Sequence, residues 1–539
     1  MSAMFRIVFS STLAFALCLT GCQRPPKPAP PATPGIRFRD VAAEAGLVYR
    51  WEPTEKRPLT ILGTIGHGCG FLDFDGDGNL DILLVGTKPA LFRGDGKGKF
   101  TQSTALPPLS GDFRGCAVGD YDGDGFPDLY LTGHQEGRLL HNDAGQRFTD
   151  VTKAAGIPAQ PWGSSASWSD LDGDGVLDLV VVNYLKFNPS TQPQLCDFPK
   201  AANKNESVRS ACGPSYYVGE RAQVFRQRSP GTFVNQTQAW GLSHTGKGLG
   251  VAAADFDGSG HTSLAITNDG VASDLFYNKG GGKLENIATE AGTAHGHDGS
   301  TQAGMGVDWG DYNNDGRLDL VVTTFRHEVK ALYRNDGQRL FTEVGQSCGL
   351  GAELAPLLAF GVKFFDADND GWLDLALASG HIQDNIVEID DETTYRQPVK
   401  LLKNTQGSFQ SVPTPGLPEI VGRGLATGDY DNDGRVDLLI VDDEGSPLLL
   451  HNESTATGHW LGLTLTGKQT YGARITVKLP DGKTLLRQCQ TDGSFQSASD
   501  VRVTIGLGTA IKATVTITWP DGHTSTLNDL PVDHYHTVK

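Results

Sequence analysis

Short apolar runs, many of them rich in β-branched residues, recur along most of this chain and follow acidic, glycine-containing loops. Examples are residues 82–85, 179–182 and 438–441. Apolar runs of about four to eight residues between turn residues are typical of buried β-strands. From about residue 460 onward, apolar positions instead alternate with polar ones, as in half-buried strands. The pattern predicts an all-β chain whose architecture changes near residue 453.

The acidic loops share one nine-residue pattern that occurs seven times. Most copies have a carboxylate at the first, third, fifth and ninth positions and glycine at the sixth. The copies, called loops one to seven, begin at Asp73, Asp120, Asp170, Asp255, Asp311, Asp366 and Asp429. Ca²⁺ binds about six to eight oxygen ligands, several of them carboxylates. Glycine permits the sharp bend that turns the acids inward, and the seventh residue lends only its backbone carbonyl. The loops therefore predict Ca²⁺ binding.

Six of the seven copies are near-complete, so we expect about six Ca²⁺ sites. Their predicted ligands are Asp73, Asp75, Asp77, Asn79 and Asp81; Asp120, Asp122, Asp124, Phe126 and Asp128; Asp170, Asp172, Asp174, Val176 and Asp178; Asp311, Asn313, Asp315, Arg317 and Asp319; Asp366, Asp368, Asp370, Trp372 and Asp374; and Asp429, Asp431, Asp433, Arg435 and Asp437. Loop four has only Asp255, Asp257 and Ser259, and is predicted to be a weak or empty metal loop. An EF-hand is excluded, because it requires Glu at the twelfth position and every twelfth position here is apolar.

The spacing of the loops predicts a β-propeller. They recur about every 50 residues, and each unit except the last ends in a similar segment with an aromatic residue or leucine, a polar turn and Gly-Leu or a related pair. The copy that the last unit lacks lies ahead of the first loop, at residues 38–47. We therefore expect a seven-bladed propeller over residues 37–452, closed by the N-terminal strand, which completes the seventh blade and protects its edge.

The Asp-x-Asp-x-Asp-Gly-x-x-Asp loops resemble the FG-GAP/VCBS repeats of integrin-like seven-bladed propellers. This resemblance implies that the Ca²⁺ loops lie on one face, where they join the first two strands of each blade. It also implies that partners often bind the opposite face.

Residues 453–539 form a second predicted domain, a small β-sandwich or barrel. Its sequence resembles the ASPIC/UnbV domain in the order and spacing of Gly472-Ala473-Arg474, Gly493-Ser494-Phe495, Gly506-Leu507-Gly508 and Trp519-Pro520-Asp521-Gly522. A propeller followed by this domain resembles the bacterial relatives of cartilage acidic protein.

The start of the chain is typical of a secreted lipoprotein. Arg6 precedes an apolar stretch too short to span a bilayer, and this stretch ends in Leu19-Thr20-Gly21-Cys22, which resembles a bacterial lipobox. Residues 1–21 are thus a predicted signal peptide, and residues 22–36 a lipidated Cys22 with a proline-rich tether of roughly 40 Å. The alternative is an ordinary signal peptide with an incidental cysteine. The lipobox places the protein in the bacterial cell envelope, lipid-anchored and extracytoplasmic, at the outer membrane or the periplasmic face.

Two further features are candidates for function. An insertion at residues 184–222 contains Cys196 and Cys212, a candidate disulfide pair in an oxidising compartment. A long insertion of this kind is either functional or a decorative hairpin.

Three basic residues occupy one equivalent position, six residues before loops of neighbouring blades. These residues are His67, Arg114 and Arg423. They are a candidate anion-binding rim at the channel, and the alternative is solvated strand ends. His381 and His451 are interpreted as structural.

The sequence favours a binding function. The formal net charge of −18 disfavours nucleic acid as a partner. The carboxylates concentrate where Ca²⁺ would bind, away from any evident nucleophile–base set. We therefore expect a membrane-anchored recognition, adhesion or scaffolding module for a protein or polysaccharide. The alternative is an enzyme that acts on a small molecule at the channel mouth or at the insertion, because propellers also host catalysis.

Removal of Ca²⁺ is predicted to lower the melting temperature of the protein. A ligand that binds only the folded state stabilises it by mass action, and several such ligands add their effects. Thermal unfolding is measured in Ca²⁺, in chelator, and in chelator with excess Mg²⁺ as the control for divalent charge. Identical melting temperatures in Ca²⁺ and in chelator would contradict the calcium assignment.

Overall fold

The computed structural model describes residues 35–53, 55–188, 190–455, 458–467 and 469–539. The predicted signal peptide, Cys22 and most of the tether lie outside these ranges. Within them, no helix has both the length and the apolar character needed to cross a membrane.

Four-stranded antiparallel sheets account for most of the chain between residues 38 and 452. In chain order, the strands up to residue 235 are β1 (Phe38–Asp40), β2 (Cys69–Leu72), β3 (Asp81–Leu84), β4 (Ala90–Gly94), β5 (Phe100–Gln102), β6 (Phe113–Gly119), β7 (Asp128–Gly133), β8 (Glu136–Asn142), β9 (Phe148–Asp150), β10 (Gly163–Ser169), β11 (Asp178–Asn183), β12 (Leu195–Pro199), β13 (Ser207–Ala211), β14 (Gln223–Ser229) and β15 (Thr232–Asn235). They continue as β16 (Gly248–Ala254), β17 (Ser263–Asn268), β18 (Asp274–Asn278), β19 (Leu284–Asn286), β20 (Val307–Gly310), β21 (Asp319–Val322), β22 (Ala331–Gly337), β23 (Leu340–Glu343), β24 (Ala359–Phe365), β25 (Asp374–Ser379), β26 (Gln397–Pro398), β27 (Lys400–Thr405), β28 (Ser408–Val412), β29 (Glu419–Ile420), β30 (Gly422–Gly428), β31 (Asp437–Asp442) and β32 (Leu448–Asn452).

The helices in the described residues are short, single-turn connectors. They are α1 (Ala42–Ala45), α2 (Ile61–Thr64), α3 (Thr152–Ala155), α4 (Ala288–Ala291), α5 (Ile386–Ile389) and a 3₁₀ turn at Pro214–Tyr216.

Each of these sheets is an up-and-down meander, with strand orders such as β2-β3-β4-β5 and β6-β7-β8-β9. The last sheet has the order β1-β32-β31-β30, because β1 pairs antiparallel with β32 and places Phe38 opposite Asn452. The all-β class and the four-stranded, propeller-like sheets are confirmed. We interpret the seven sheets as seven blades, and the pairing of β1 with β32 as the closure of their ring.

Each metal loop joins the first and second strands of its sheet, as loop one does between β2 and β3. We call the face that carries these loops the loop face. Connections between second and third strands leave the other end of the sheets, which we call the far face. The insertion at 184–222 and helix α5 are both connections of this second kind, so both lie on the far face.

The C-terminal residues form two packed sheets. Their strands are β33 (His459–Leu465), β34 (Arg474–Lys478), β35 (Thr484–Gln488), β36 (Val503–Gly508), β37 (Lys512–Thr518), β38 (Thr524–Pro531) and β39 (Tyr535–Val538). One sheet has the order β36-β33-β39 and the other β35-β34-β37-β38. Alternate residues of both sheets, such as Leu463, Ile475 and Val515, are fully buried between them.

The connection between β35 and β36 runs down the axis of the first domain. We call residues 490–500 the plug. It forms backbone hydrogen bonds with the first strands of several sheets: Phe71 N donates to Ala498 O over 3.0 Å, and Cys116 N to Gln496 O over 3.0 Å. Ser494 N donates to Val307 O over 2.6 Å, and Val307 N donates back to Ser494 O over 3.0 Å. The plug thus satisfies backbone groups that line the axis.

Glycine on the first strands gives the plug its space. A Cβ on Gly68 would overlap the backbone carbonyl of Gln496, and one on Gly424 would overlap the hydroxyl of Ser497. Glycine permits this close backbone approach because it has no side chain. The same position, five residues before a loop, is glycine in six of the seven sheets; in the third sheet it is Ser165, whose Oγ accepts a hydrogen bond from Gln496 N over 3.0 Å.

At the far end of the axis, Phe495 fills an apolar cluster. Its ring lies 4.9 Å from the ring of Phe360, and the cluster also contains Trp162, Tyr184 and Ile65. Tyr184 belongs to the insertion and Ile65 follows α2, so far-face segments close the axis beneath the plug.

Side-chain amides join neighbouring sheets on the loop face. Asn335 Nδ2 donates to Leu318 O of its own loop over 3.1 Å and to Phe256 O of the preceding loop over 3.0 Å. The second to seventh sheets repeat this arrangement with Asn142, Gln227, Asn278, Asn335, Asn404 and Asn452. Because both acceptors are backbone carbonyls, the loop sequences can vary while the joint is retained.

Phe495→Ala is predicted to destabilise the protein by about 3–5 kcal/mol, because it empties a fully buried aromatic site. Urea unfolding followed by tryptophan fluorescence measures the loss. Ile511→Ala, at a 70 % exposed position, is the control. A cost below about 1 kcal/mol for Phe495→Ala would show that the plug does not stabilise the folded chain.

Asn335→Ala is predicted to cost about 1–3 kcal/mol, because it leaves two buried carbonyls without their donor. The matched control is Asn205→Ala at an exposed position. Both variants are unfolded in chelator, which removes any contribution of bound metal from the comparison. Equal unfolding free energies for the two variants would show that the Asn335 hydrogen bonds do not stabilise the contact between neighbouring sheets by this amount.

Candidate metal centres on the loop face

The first aspartate of each loop organises the backbone turn. Asp73 Oδ1 accepts a hydrogen bond from Asp77 N over 3.1 Å, and its Oδ2 accepts one from Gly78 N over 2.9 Å. Asp429 accepts the equivalent pair from Asp433 N and Gly434 N, over 3.0 and 2.8 Å. The sixth-position glycines have positive φ, +83° at Gly78 and +82° at Gly434. The loop is therefore curled by its own sequence.

In several loops, the aspartate at the third position has a side-chain oxygen without a hydrogen-bond partner in the described part of the chain. Asp75 Oδ1, Asp368 Oδ1 and Asp431 Oδ1 are buried and have no hydrogen-bond partner among the described residues. In loop one, ligand atoms of Asp73, Asp75 and Asp81 lie within 4.8 Å of one another. Oxygens that surround one Ca²⁺ at about 2.3–2.6 Å meet this spacing. The loops thus fit the cation that their sequence predicts, and these residues would hold it.

The aspartate at the ninth position of the loop forms hydrogen bonds that join the loop to the third strand of its sheet. Asp81 Oδ2 accepts from Phe74 N over 2.8 Å, and its Oδ1 accepts from Gly94 N over 2.9 Å. Burial raises the pKa of Asp81 to about 8, and it raises the pKa of Asp437 to about 8 as well. Such carboxylates resist ionisation until a cation compensates their charge. Ca²⁺ bound in the loop would supply that charge.

Basic side chains on the third strands face the loop carboxylates, and sequence reasoning missed them. Arg93 Nε lies 2.6 Å from Asp75 Oδ2, and Arg226 Nε lies 2.5 Å from Asp172 Oδ2. Lys403 pairs with Asp368 of loop six. Their signal is a basic residue on the third strand that follows a loop, which only the pairing of strands brings opposite the acids.

Histidines take this place in loops two and seven. His141 Nδ1 lies 3.1 Å from Asp128 Oδ1, and His451 Nδ1 lies 3.2 Å from Asp437 Oδ1. His451 therefore has carboxylate partners that the sequence did not reveal. His381 is buried and accepts a hydrogen bond from Gln383 N over 3.1 Å, and burial lowers its pKa to about 3.

Loop four has the same backbone turn as the other loops but fewer carboxylates. Asp255 accepts hydrogen bonds from Ser259 N and Gly260 N, over 2.9 and 3.0 Å, as in the other loops. At the ninth position Ser263 Oγ accepts from Asn278 N over 3.1 Å and so replaces the structural role of aspartate. With Asp255 and Asp257 as its two acids, weak or absent metal binding remains our prediction for this loop.

The candidate anion-binding rim is corrected by the structure. Arg423 is 1 % exposed, and its guanidinium donates to backbone carbonyls, among them Thr64 O over 2.8 Å. Arg114 is also buried and lies 2.5 Å from Asp112 Oδ1; His67 Nδ1 lies 2.5 Å from Asp443 Oδ1. These residues are neither an open rim nor solvated strand ends. Far-face residues such as Thr64 and His381 cover Arg423, which spacing along the chain could not indicate.

The insertion is anchored across the far face. The structure places Cys196 and Cys212 in a disulfide bond. Ser210 Oγ donates to Asn385 Oδ1 over 2.7 Å, and Asn385 Nδ2 donates to Arg209 O over 2.9 Å. Because Asn385 directly precedes α5, in the connection between the second and third strands of the sixth sheet, the insertion reaches from the third sheet to the sixth.

Comparison with known families finds matching segments in both parts of the chain. The model of the FG-GAP-like repeat matches residues 73–131, 120–181 and 260–322, and that of ASPIC and UnbV matches residues 464–539. Cartilage acidic protein 1 of Xenopus tropicalis is 24 % identical over 294 residues, which cover 52 % of this chain and 43 % of that protein. The Homo sapiens protein is 22 % identical over 391 residues, which cover 69 % and 52 %. The chain thus spans about half the length of the curated relatives that it matches.

Solved structures of other proteins also align with the chain. An Agrocybe aegerita lectin that recognises non-reducing terminal N-acetylglucosamine is 16 % identical, with 71 % of this chain and 86 % of that chain covered and a TM-score of 0.41. The WD40 β-propeller domain of Doa1 is 10 % identical, with 72 % and 93 % covered and a TM-score of 0.38. Segments of the chain thus match FG-GAP-like repeats and, at its C-terminal end, ASPIC and UnbV, and the chain is similar to cartilage acidic protein 1.

Proposed function

We propose that this protein is a Ca²⁺-binding, lipid-anchored recognition module of the bacterial cell envelope, which binds a protein or polysaccharide through its far face. FG-GAP-like repeats joined to an ASPIC and UnbV domain indicate a recognition or adhesion module. The lipobox and tether of the sequence support the anchor.

The observation that carries this proposal is the filling of the axis. Phe495 is fully buried, and Ser494 and Gln496 beside it are 1 % and 0 % exposed. Tyr184 and Trp162 close the axis at the far end. A substrate at the channel mouth would have to displace these groups, which disfavours the enzyme hypothesis there and leaves the outer surface as the place of interaction.

The C-terminal domain occupies the loop face, which favours the far face for a partner. Arg502 Nη2 donates to Asp429 O over 2.8 Å, and the Tyr535 hydroxyl donates to Asp429 Oδ2 over 2.8 Å. Asp120 N donates to the Tyr471 hydroxyl over 3.1 Å. Because these contacts are made to first-position residues of metal loops, Ca²⁺ would also stabilise the joint between the two domains.

The far face offers a partner an exposed surface on a rigid support. In the insertion, Tyr216 is 58 % and Val218 is 61 % exposed, although the disulfide bond and the contacts with α5 fix the segment. Exposed apolar and aromatic side chains on a constrained segment bind with a small loss of conformational entropy.

Loss of the exposed apolar groups is predicted to abolish partner binding and leave folding unchanged. The tagged protein is purified from gently solubilised native membranes in Ca²⁺, as wild type, as Tyr216→Ser/Val218→Ser, and as the control Ile511→Ser, whose side chain is exposed on the C-terminal domain. A stoichiometric protein or polysaccharide should accompany the wild type and the control only, and chelator should release it. Equal recovery with the insertion variant would refute the far-face site, and a clean wild-type protein in both conditions would refute the recognition function.

A further inference from the structure

Five of the acidic loops fall into two chemical classes that differ in the third-strand side chain opposite the carboxylates. Loops one, three and six face a permanently or strongly cationic group, from Arg93, Arg226 and Lys403 respectively. Loops two and seven face an imidazole, from His141 and His451. A guanidinium or ammonium group carries no lone pair for a metal, whereas a neutral imidazole does.

The imidazole of His141 stands among the carboxylates of loop two at the spacing of ligands around one ion. Its Nδ1 lies 3.1 Å from Asp128 Oδ1 and 3.5 Å from Asp122 Oδ2. The ligand atoms of these three side chains all lie within 4.8 Å of one another. Adjacent ligands of an octahedral ion with bonds of about 2.1 Å are about 3 Å apart.

Loop seven repeats this constellation in an independent part of the sequence. His451 Nδ1 lies 3.2 Å from Asp437 Oδ1 and 3.8 Å from Asp431 Oδ2, and Asp431 Oδ1 is buried without a hydrogen-bond partner among the described residues. The His451 side chain is 19 % exposed and that of His141 is 25 % exposed, so both are reachable by an ion from solution.

From this geometry we propose that loops two and seven are sites for a transition-series divalent cation held by one imidazole nitrogen and by carboxylate oxygens, whereas loops one, three, five and six hold Ca²⁺ by oxygen alone. Ca²⁺ takes oxygen ligands, while imidazole suits transition metals, and Mn²⁺ also accepts carboxylate. The inference rests on the proposed function, since it assumes that the loops bind divalent metal, and it adds which ion two of them select.

Pulsed EPR of Mn²⁺ bound to the full mature chain tests the proposal. The wild type should show the nuclear modulation of a directly coordinated ¹⁴N, and the double variant His141→Gln/His451→Gln should lose it. The matched control, Arg93→Gln/Arg226→Gln, removes the cations opposite two oxygen-only loops and should retain the nitrogen signal. The single variant His141→Gln, which leaves loop seven intact, should lower the nitrogen signal without abolishing it. This variant provides the test if the double variant does not fold.

The outcomes separate this inference from the general proposal of metal binding. Mn²⁺ that binds stoichiometrically without a coordinated ¹⁴N, or with a ¹⁴N signal that persists in the folded double variant, would overturn the imidazole sites and leave the Ca²⁺ loops standing. Absence of stoichiometric binding of both Mn²⁺ and Ca²⁺ would overturn both.

Discussion

The insertion of residues 490–500 into the axis of the repeat domain is the contact on which the arrangement of the two domains depends. Strands that converge on an axis leave backbone groups and first-strand side chains facing a narrow channel. Here a segment of the second domain fills the channel. It forms hydrogen bonds with Phe71, Cys116 and Val307, and its central residue Phe495 lies at the far end of the axis. Buried backbone groups must be paired, so the repeat domain is completed by the C-terminal domain rather than merely linked to it.

The concentration of negative charge on the loop face is the second constraint. Carboxylates such as Asp81 and Asp437 are buried, and burial raises their pKa, so the loops need cations to remain ionised. The chain supplies some of this charge itself, through third-strand residues such as Arg93 and Arg226. Bound divalent ions would supply the rest, which joins metal occupancy to the stability of the loop face and of its contacts with the C-terminal domain.

The far face follows from these two constraints. The C-terminal domain covers part of the loop face, and the plug removes the channel as a cavity for substrate. The insertion, held by the Cys196–Cys212 disulfide bond and by Asn385, then presents Tyr216 and Val218 on a fixed support. Recognition by an outer surface is therefore the function that this architecture favours.

The sequence by itself determined the elements that depend on local patterns. The strands after each loop, the metal-loop turns and the all-β character of the C-terminal domain follow from apolar periodicity, from glycine and from alternating aspartates, because these act over a few neighbouring residues. Only the tertiary structure determined which side chains lie opposite the loop carboxylates and carbonyls. Strand pairing brings His141 and His451 to the loop carboxylates, and Asn335 to the carbonyl of the preceding loop. Arg114 and Arg423, which sequence spacing had placed at an open rim, are buried in the folded chain. These contacts join residues far apart in the chain, so their physical cause is the packing of sheets and domains, which no local pattern encodes.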